Sequence, residues 1–260
     1  MKNPVRMPAL FIGHGSPMNA MMKNAFTRAL ENLGKALPRP EAIMVISAHW
    51  LTKGTFVTCS ENPRQIYDFY GFPDELYQVA YRPPGAPVRA ARTTHVLQSD
   101  RIRCDDRWGL DHASWAVLKH MYPEADVPVF EMSLDLSHSE QDHYDLGGKL
   151  SYLRDEGVLI IGSGNIVHNL GLVEWDAEAE PCDWASAFDQ FVSNRLLDRD
   201  HDALVNYRRM GAPAALAVPT NDHYLPMLYI ASLHGIDEPL NFIFHAVQHG
   251  SISMRCFQIG

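Results

Sequence analysis

The sequence predicts one α/β domain, a mixed sheet covered by helices on both faces. Three features carry that expectation. Short apolar runs have the length of buried strands, and several end in turns of small residues. Amphipathic stretches of helical length separate them, which is the alternation an α/β sheet requires. Two strand-like runs follow one another near the C-terminus, so the sheet is expected to be mixed.

Pro8-Ala9-Leu10-Phe11-Ile12 is the first buried run and enters the turn Gly13-His14-Gly15. A helical stretch over 18–33 follows. Ala42-Ile43-Met44-Val45-Ile46-Ser47 is the second run and enters Ala48-His49-Trp50. Residues 62–87, rich in proline and tyrosine, form a long excursion that suits a pocket wall better than a domain boundary. Further on, a helix is expected over 86–98, a strand over 127–132 and a helix over 141–154. Gly157-Val158-Leu159-Ile160-Ile161 is the next buried run and leads into Gly162-Ser163-Gly164-Asn165. A helix over 184–197 comes next. The tail closes with strands over 240–247 and 251–258 joined through His249-Gly250. No repeat, low-complexity tract or Gly/Ser-rich linker divides the chain, so residues 1–260 are read as one domain.

Of the 260 residues 46% are hydrophobic, ample for a single core, and the formal net charge is −9. The longest basic run is Arg208-Arg209, so no phosphate-tracking surface is expected and nucleic acid is set aside as a partner. Residues 1–6 lack the apolar stretch of a secretory signal. No segment approaches the roughly 18 uninterrupted apolar residues of a membrane span. A cytoplasmic location without a membrane partner is therefore expected. Cys59, Cys104, Cys182 and Cys256 form no CxxC pair, which disfavours cysteine-held zinc and predicts free thiols. The informative excess is histidine, with 13 residues. Histidine is the commonest protein metal ligand and the usual acid or base near neutral pH.

Ligands of open α/β sheets gather beyond the carboxyl ends of the strands. His14, His49 and, a little further on, His168 all follow predicted buried strands. Glycines beside His14 let the backbone pass close to a bound group. His223 is expected in the first turn of a helix running toward Leu233, with Thr220, Asn221 or Asp222 as its cap and Pro226 early enough to be tolerated. His112 opens another helix after Trp108-Gly109-Leu110-Asp111, where Asp111 is placed to orient an imidazole and two tryptophans to exclude water. For any one of His14, His49 and His168 a capping or packed structural role is the plainer reading, while for His223 and His112 the structural and functional readings stand level. Three in like positions favour a metal or catalytic cluster. Neutral imidazoles suit zinc, iron, nickel or copper and do not suit calcium or magnesium. Composition cannot choose among those metals, and three ligands with an open position also describe a zinc hydrolase. A non-catalytic binding protein is a further alternative, since fold does not fix function.

Five motifs go further. Residues 8–19 (PALFIGHGSPMN), 45–50 (VISAHW), 108–115 (WGLDHASW), 162–170 (GSGNIVHNL) and 223–229 (HYLPMLY) resemble, in order and in register, the DODA-type extradiol aromatic ring-opening dioxygenases. That family belongs to the same wider class as protocatechuate 4,5-dioxygenase. The resemblance covers essentially the whole chain and implies a three-layer α/β/α sandwich around a mixed sheet. It implies a non-haem metal enzyme that inserts both atoms of O2 into a catechol, DOPA-like or related, giving a ring-opened semialdehyde. By the same resemblance His14, His49 and His223 match metal ligands, and His168 matches either a further ligand or the acid/base. His112 matches a histidine that contacts substrate. Fe(II) is the implied catalytic metal, with Zn(II) as an alternative occupant of an all-histidine site. Many relatives carry Glu just before the histidine matched by His223, where this chain has Asp222. Within the excursion Tyr67, Tyr70, Phe72 and Tyr77 are expected to wall an aromatic pocket, and Arg82 to meet a substrate carboxylate.

Overall fold

Four buried apolar runs become the parallel centre of an eight-stranded sheet. The computed structural model describes residues 5–260. Its strands are β1 (Ala9–Gly13), β2 (Ala42–Thr52), β3 (Phe56–Thr58), β4 (Arg103–Asp105), β5 (Val129–Asp135), β6 (Val158–Gly164), β7 (Leu240–Phe244), β8 (Val247–Gln248), β9 (Ile252–Ser253) and β10 (Cys256–Ile259). Eight of them pair in the order β4-β3-β5-β2-β6-β1-β10-β7, while β8 and β9 form a separate ribbon. The neighbours β5, β2, β6 and β1 are parallel. On one flank β10 and β7 join antiparallel, and on the other β3 runs antiparallel to β5. The sheet is mixed, as the tail predicts.

The helices are α1 (Ala25–Ala36), α2 (Pro87–Val96), α3 (His112–Met121), α4 (Glu140–Lys149), α5 (Ser151–Asp155), α6 (Asp183–Asp198), α7 (His201–Val205), α8 (Ala212–Ala217) and α9 (Leu225–Ser232). They lie on both faces because the central strands are apolar on both. Ala42, Met44 and Ile46 of β2 face a core with Leu146 of α4, Phe188 of α6 and Leu228 of α9. Ile43 and Val45 face a second core with Phe26 and Leu30 of α1 and Trp115 of α3. Near-continuous apolar strands are what a parallel sheet covered on two sides requires. The result is a three-layer α/β/α sandwich.

Several boundaries differ from expectation for local reasons. The helix expected over 18–33 divides into a 3-10 turn, Pro17–Ala20, and α1, because Asn24 and Thr27 make a reciprocal capping box. The helix over 141–154 breaks at Leu150, between α4 and α5. The tail yields four strands, and its turn at His249 and Gly250 has positive φ at both residues. The free-thiol expectation is corrected at Cys59 and Cys104. Both sit where β3 and β4 run side by side, their Cα atoms 5.6 Å apart, and they form a disulfide. Cys182 and Cys256 are free.

Candidate metal centre

Strand ends place the histidines. His14 follows β1, and its N–H donates to the Gly164 carbonyl at the end of β6 (3.1 Å). His49 lies inside β2, where the pairing with β5 shifts register between Ile46 and Leu51. Such an irregularity re-aims side chains, and here the His49 N–H turns to Ser47 Oγ (3.0 Å). His168 lies beyond β6, bridged to Ile252. His223 precedes α9 rather than occupying its first turn. The expected side-chain cap fails because Thr220 Oγ donates to Asp222 (2.8 Å), and the Asn221 carbonyl closes the turn instead. Pro226 sits in the first turn of α9, as anticipated. A Cβ on Gly164 would lie 2.1 Å from the His223 carbonyl oxygen, so only glycine lets β6 approach this segment.

All five predicted histidines converge. The ligating atoms of His14, His49 and His112 lie within 4.8 Å of one another. The rings of His14 and His49 are 5.4 and 4.8 Å from that of His223, centroid to centroid. His168 stacks on His223 at 3.6 Å with 5° between planes. The tightest trio thus contains His112 where the resemblance put His223, and His223 completes a second edge of the same cluster.

Hydrogen bonding decides how His14 presents itself. Ser163 Oγ donates to the Ala113 carbonyl (2.7 Å), so it accepts from His14 Nδ1 (3.0 Å). That leaves the His14 Nε2 lone pair facing His49 Nε2 at 3.2 Å. Tetrahedral zinc with nitrogens at 2.0–2.1 Å would separate neighbouring ligands by about 3.3 Å. Both ring nitrogens of His223 are buried without a hydrogen bond. Burial, then the nearby histidines His112, His223 and His168, hold His14 well below the usual imidazole range. Burial and the same kind of neighbours do so for His49. Burial and His223 lower His168 to about 3. Neutral imidazoles are what a metal ion needs, and orphaned nitrogens in a buried cluster are costly without one. The donor set fits a transition-metal ion.

Carboxylates surround the cluster. Asp111 does not orient His112 as expected. It caps α3 through Ala113 N–H (3.0 Å) and accepts from Ser47 Oγ (2.6 Å). Burial and the charge of Asp68 raise its carboxyl to about 6. Glu131 behind it accepts from Trp108 Nε1 (3.0 Å), Asp111 N–H (2.9 Å) and Ser114 Oγ, and burial beside Asp111 raises it well above the carboxylate range. The residue against His112 is Asp68, with Oδ2 2.8 Å from Nδ1. Asp68 belongs to the excursion and to none of the five motifs, so sequence reasoning missed it. Its only signal is a carboxylate set between Tyr67 and Phe69 in an aromatic run. Asp222 lies 3.4 Å from His223 Nδ1.

The excursion contributes an aromatic wall, though not with every expected residue. Tyr67 packs against Phe69, Tyr77 and Trp115, and its hydroxyl donates to the Val79 carbonyl (2.8 Å). Phe69, not singled out beforehand, meets the His112 ring edge-on at 5.6 Å and touches Phe72. Tyr70 is 92% exposed and stands outside this wall. Arg82 is exposed, with no hydrogen bond or ion pair among the described residues. A separate cleft of about 520 Å³ beside Trp50, Phe56, Arg64 and Trp108 contains none of the five histidines.

The chain is similar to known proteins over nearly its whole length. The chain is 44% identical over 259 residues to the 4,5-DOPA dioxygenase extradiol of Escherichia coli K12, covering 98% of this chain and 95% of that one. It is 35% identical to the Beta vulgaris protein of the same name, covering 95% and 94%. A crystal structure of an uncharacterized Escherichia coli K12 protein superposes with a TM-score of 0.86 at 41% identity, covering 98% of this chain and all of that one. Residues 8–254 match the family described as the catalytic LigB subunit of aromatic ring-opening dioxygenase, and the chain belongs to that family.

Proposed function

We propose that residues 1–260 act as one catalytic domain, a non-haem extradiol dioxygenase that inserts both atoms of O2 into a DOPA-like catechol. The product is a ring-opened semialdehyde. The observation that carries this reading is the pair of Nε2 atoms of His14 and His49, 3.2 Å apart in a buried cluster. His14, His49 and His223 are assigned to the metal, and His168 either joins them or moves a proton. Fe(II) supplies the chemistry when bound, acidifying the catechol hydroxyls and passing electrons from ring to oxygen, and Zn(II) is an alternative occupant. His112 steadies a substrate or oxygen atom. Tyr67 and Phe69 wall the ring, and Arg82 is reserved for a substrate carboxylate. A cytoplasmic setting accords with Fe(II), and there the Cys59–Cys104 disulfide would be an exception to the usual rule.

The test is reconstitution. Metal-free protein is loaded with Fe(II) without air, given DOPA, caffeate or protocatechuate, and then exposed to oxygen. Oxygen uptake and a yellow product are expected with at least one catechol. Absence of both with all of them rejects the reading. Activity with zinc and without oxygen would establish the hydrolase instead.

A further inference from the structure

The cleft of about 520 Å³ opens past the end of β2, between the turn that leads to β3 and the loop that follows β4. Its floor is aromatic. Trp108 stacks on Trp50 with ring centroids 5.5 Å apart and 4° between planes. Trp50 is buried, whereas Trp108 is only partly covered and keeps surface open to the cleft. Phe56 is the third ring, with the Arg103 guanidinium 4.4 Å from its centroid. Trp108 is held in place: Nε1 donates to Glu131 (3.0 Å) and the backbone N–H to Asp105 Oδ1 (2.7 Å). Gly109 then lets Arg64 pack on the same turn. A Cβ there would lie 1.9 Å from the Arg64 carbonyl oxygen, which accepts the Leu110 N–H (2.8 Å).

The charge of the cleft runs against that of the chain. The formal net charge is −9, yet Lys53, Arg64 and Arg107 line the cleft against the single carboxylate of Asp105. That carboxylate is already committed. It accepts the backbone N–H groups of Arg107 (2.7 Å) and Trp108 and pairs with the Arg107 guanidinium (3.3 Å). Lys53 and Arg64 make no side-chain hydrogen bond or ion pair among the described residues. Two uncommitted cations beside a fixed aromatic floor match a ligand that is flat, apolar on its faces and negative at one edge.

We propose that this cleft is a second binding site, separate from the metal centre, for a small aromatic carboxylate. The ring lies against Trp108 and the carboxylate pairs with Arg64 and Lys53, the guanidinium offering the planar fork that a carboxylate fits. Phosphate would satisfy the cations and leave the aromatic floor unused; a neutral arene would do the reverse. The site needs neither metal nor oxygen, so it stands or falls independently of the dioxygenase reading.

The test uses the full chain loaded with Zn(II), which is diamagnetic, and benzoate as the probe. Indole N–H signals of the five tryptophans are followed by nuclear magnetic resonance, that of Trp108 being identified with Trp108→Phe. Benzoate should shift the Trp108 signal saturably, with a Kd of about 1–10 mM. No shift, or one that does not saturate, overturns the proposal. Removing the metal should leave the Kd unchanged, whereas a Kd that follows the metal places benzoate at the metal centre and rejects a separate site. The double variant Lys53→Ala/Arg64→Ala alters only exposed side chains and should weaken binding roughly tenfold. An unchanged Kd there removes the assigned cations and the proposal with them. Cyclohexanecarboxylate, with the same charge and no aromatic face, should bind about 2–10-fold more weakly than benzoate, and phosphate likewise. Equal binding by either contradicts the aromatic floor.

Discussion

His14 illustrates how one side chain is prepared for a metal. Ser163 accepts a hydrogen bond from its Nδ1–H, burial keeps it neutral, and its Nε2 faces His49. His168 lies at the other side of the cluster, stacked on His223. His14→Ala should therefore lose bound metal by elemental analysis, whereas His168→Ala should lose turnover and keep most of the metal. Equal metal loss would make His168 a ligand. Asp189 shows the same physics away from the site. Burial would raise its carboxyl, but His245 (2.9 Å), Arg255 (2.5 Å) and Ser253 (2.6 Å) hold it at about 2, against an ordinary value of 3.8. A carboxyl depressed in the folded state stabilises fully above its unfolded value, and that contribution disappears as pH falls through the folded one. About 2 kcal/mol should be lost between roughly pH 4 and pH 2. Unfolding measured against pH should show that loss in the native chain and a flatter profile in Asp189→Asn. An identical acid profile in the variant would refute this account of the tail.

Elements decide which side chains meet, and here the sequence was unevenly legible. His14, His49 and His168 were readable because each lies in or shortly after a buried apolar strand. Asp68 was not, because residues 62–87 have no periodicity to say what the segment packs against. The loops after Cys59 and Cys104 bring it to the site. Ile66 N–H donates to the Leu110 carbonyl (2.8 Å) and Leu110 N–H to Arg64 (2.8 Å), just before Asp68 and His112. The disulfide joins those loops at their base, across a separation of 45 residues. It was illegible because β3 and β4 have three residues each, too few to reveal a pairing. Closing a loop of that size restricts the unfolded chain by about 4 kcal/mol. Denaturant unfolding with and without reductant should show a loss of that order, matched by the Cys59→Ser/Cys104→Ser double variant. No change on reduction would mean the bond contributes nothing to stability.

At the scale of the whole molecule, topology gathers residues as distant as His14 and His223. Parallel β1 and β6 end side by side, β2 continues past them with His49, and close packing at Gly162 and Gly164 brings α9 and the chain before it against β6. The α/β class and most central strands were legible because strands buried on both faces are apolar throughout. The short strands β3 and β4 at one edge were not, since their form depends on neighbours far along the chain. Relatives match the chain nearly from end to end. The most direct test of that site is the fate of oxygen. Fe(II)-loaded protein is turned over with a DOPA-like catechol under heavy-isotope dioxygen, and the aldehyde is trapped by reduction as it forms before the product is weighed. Both labelled atoms should appear in the ring-opened product; a product without label, formed equally well in the absence of oxygen, would contradict the account.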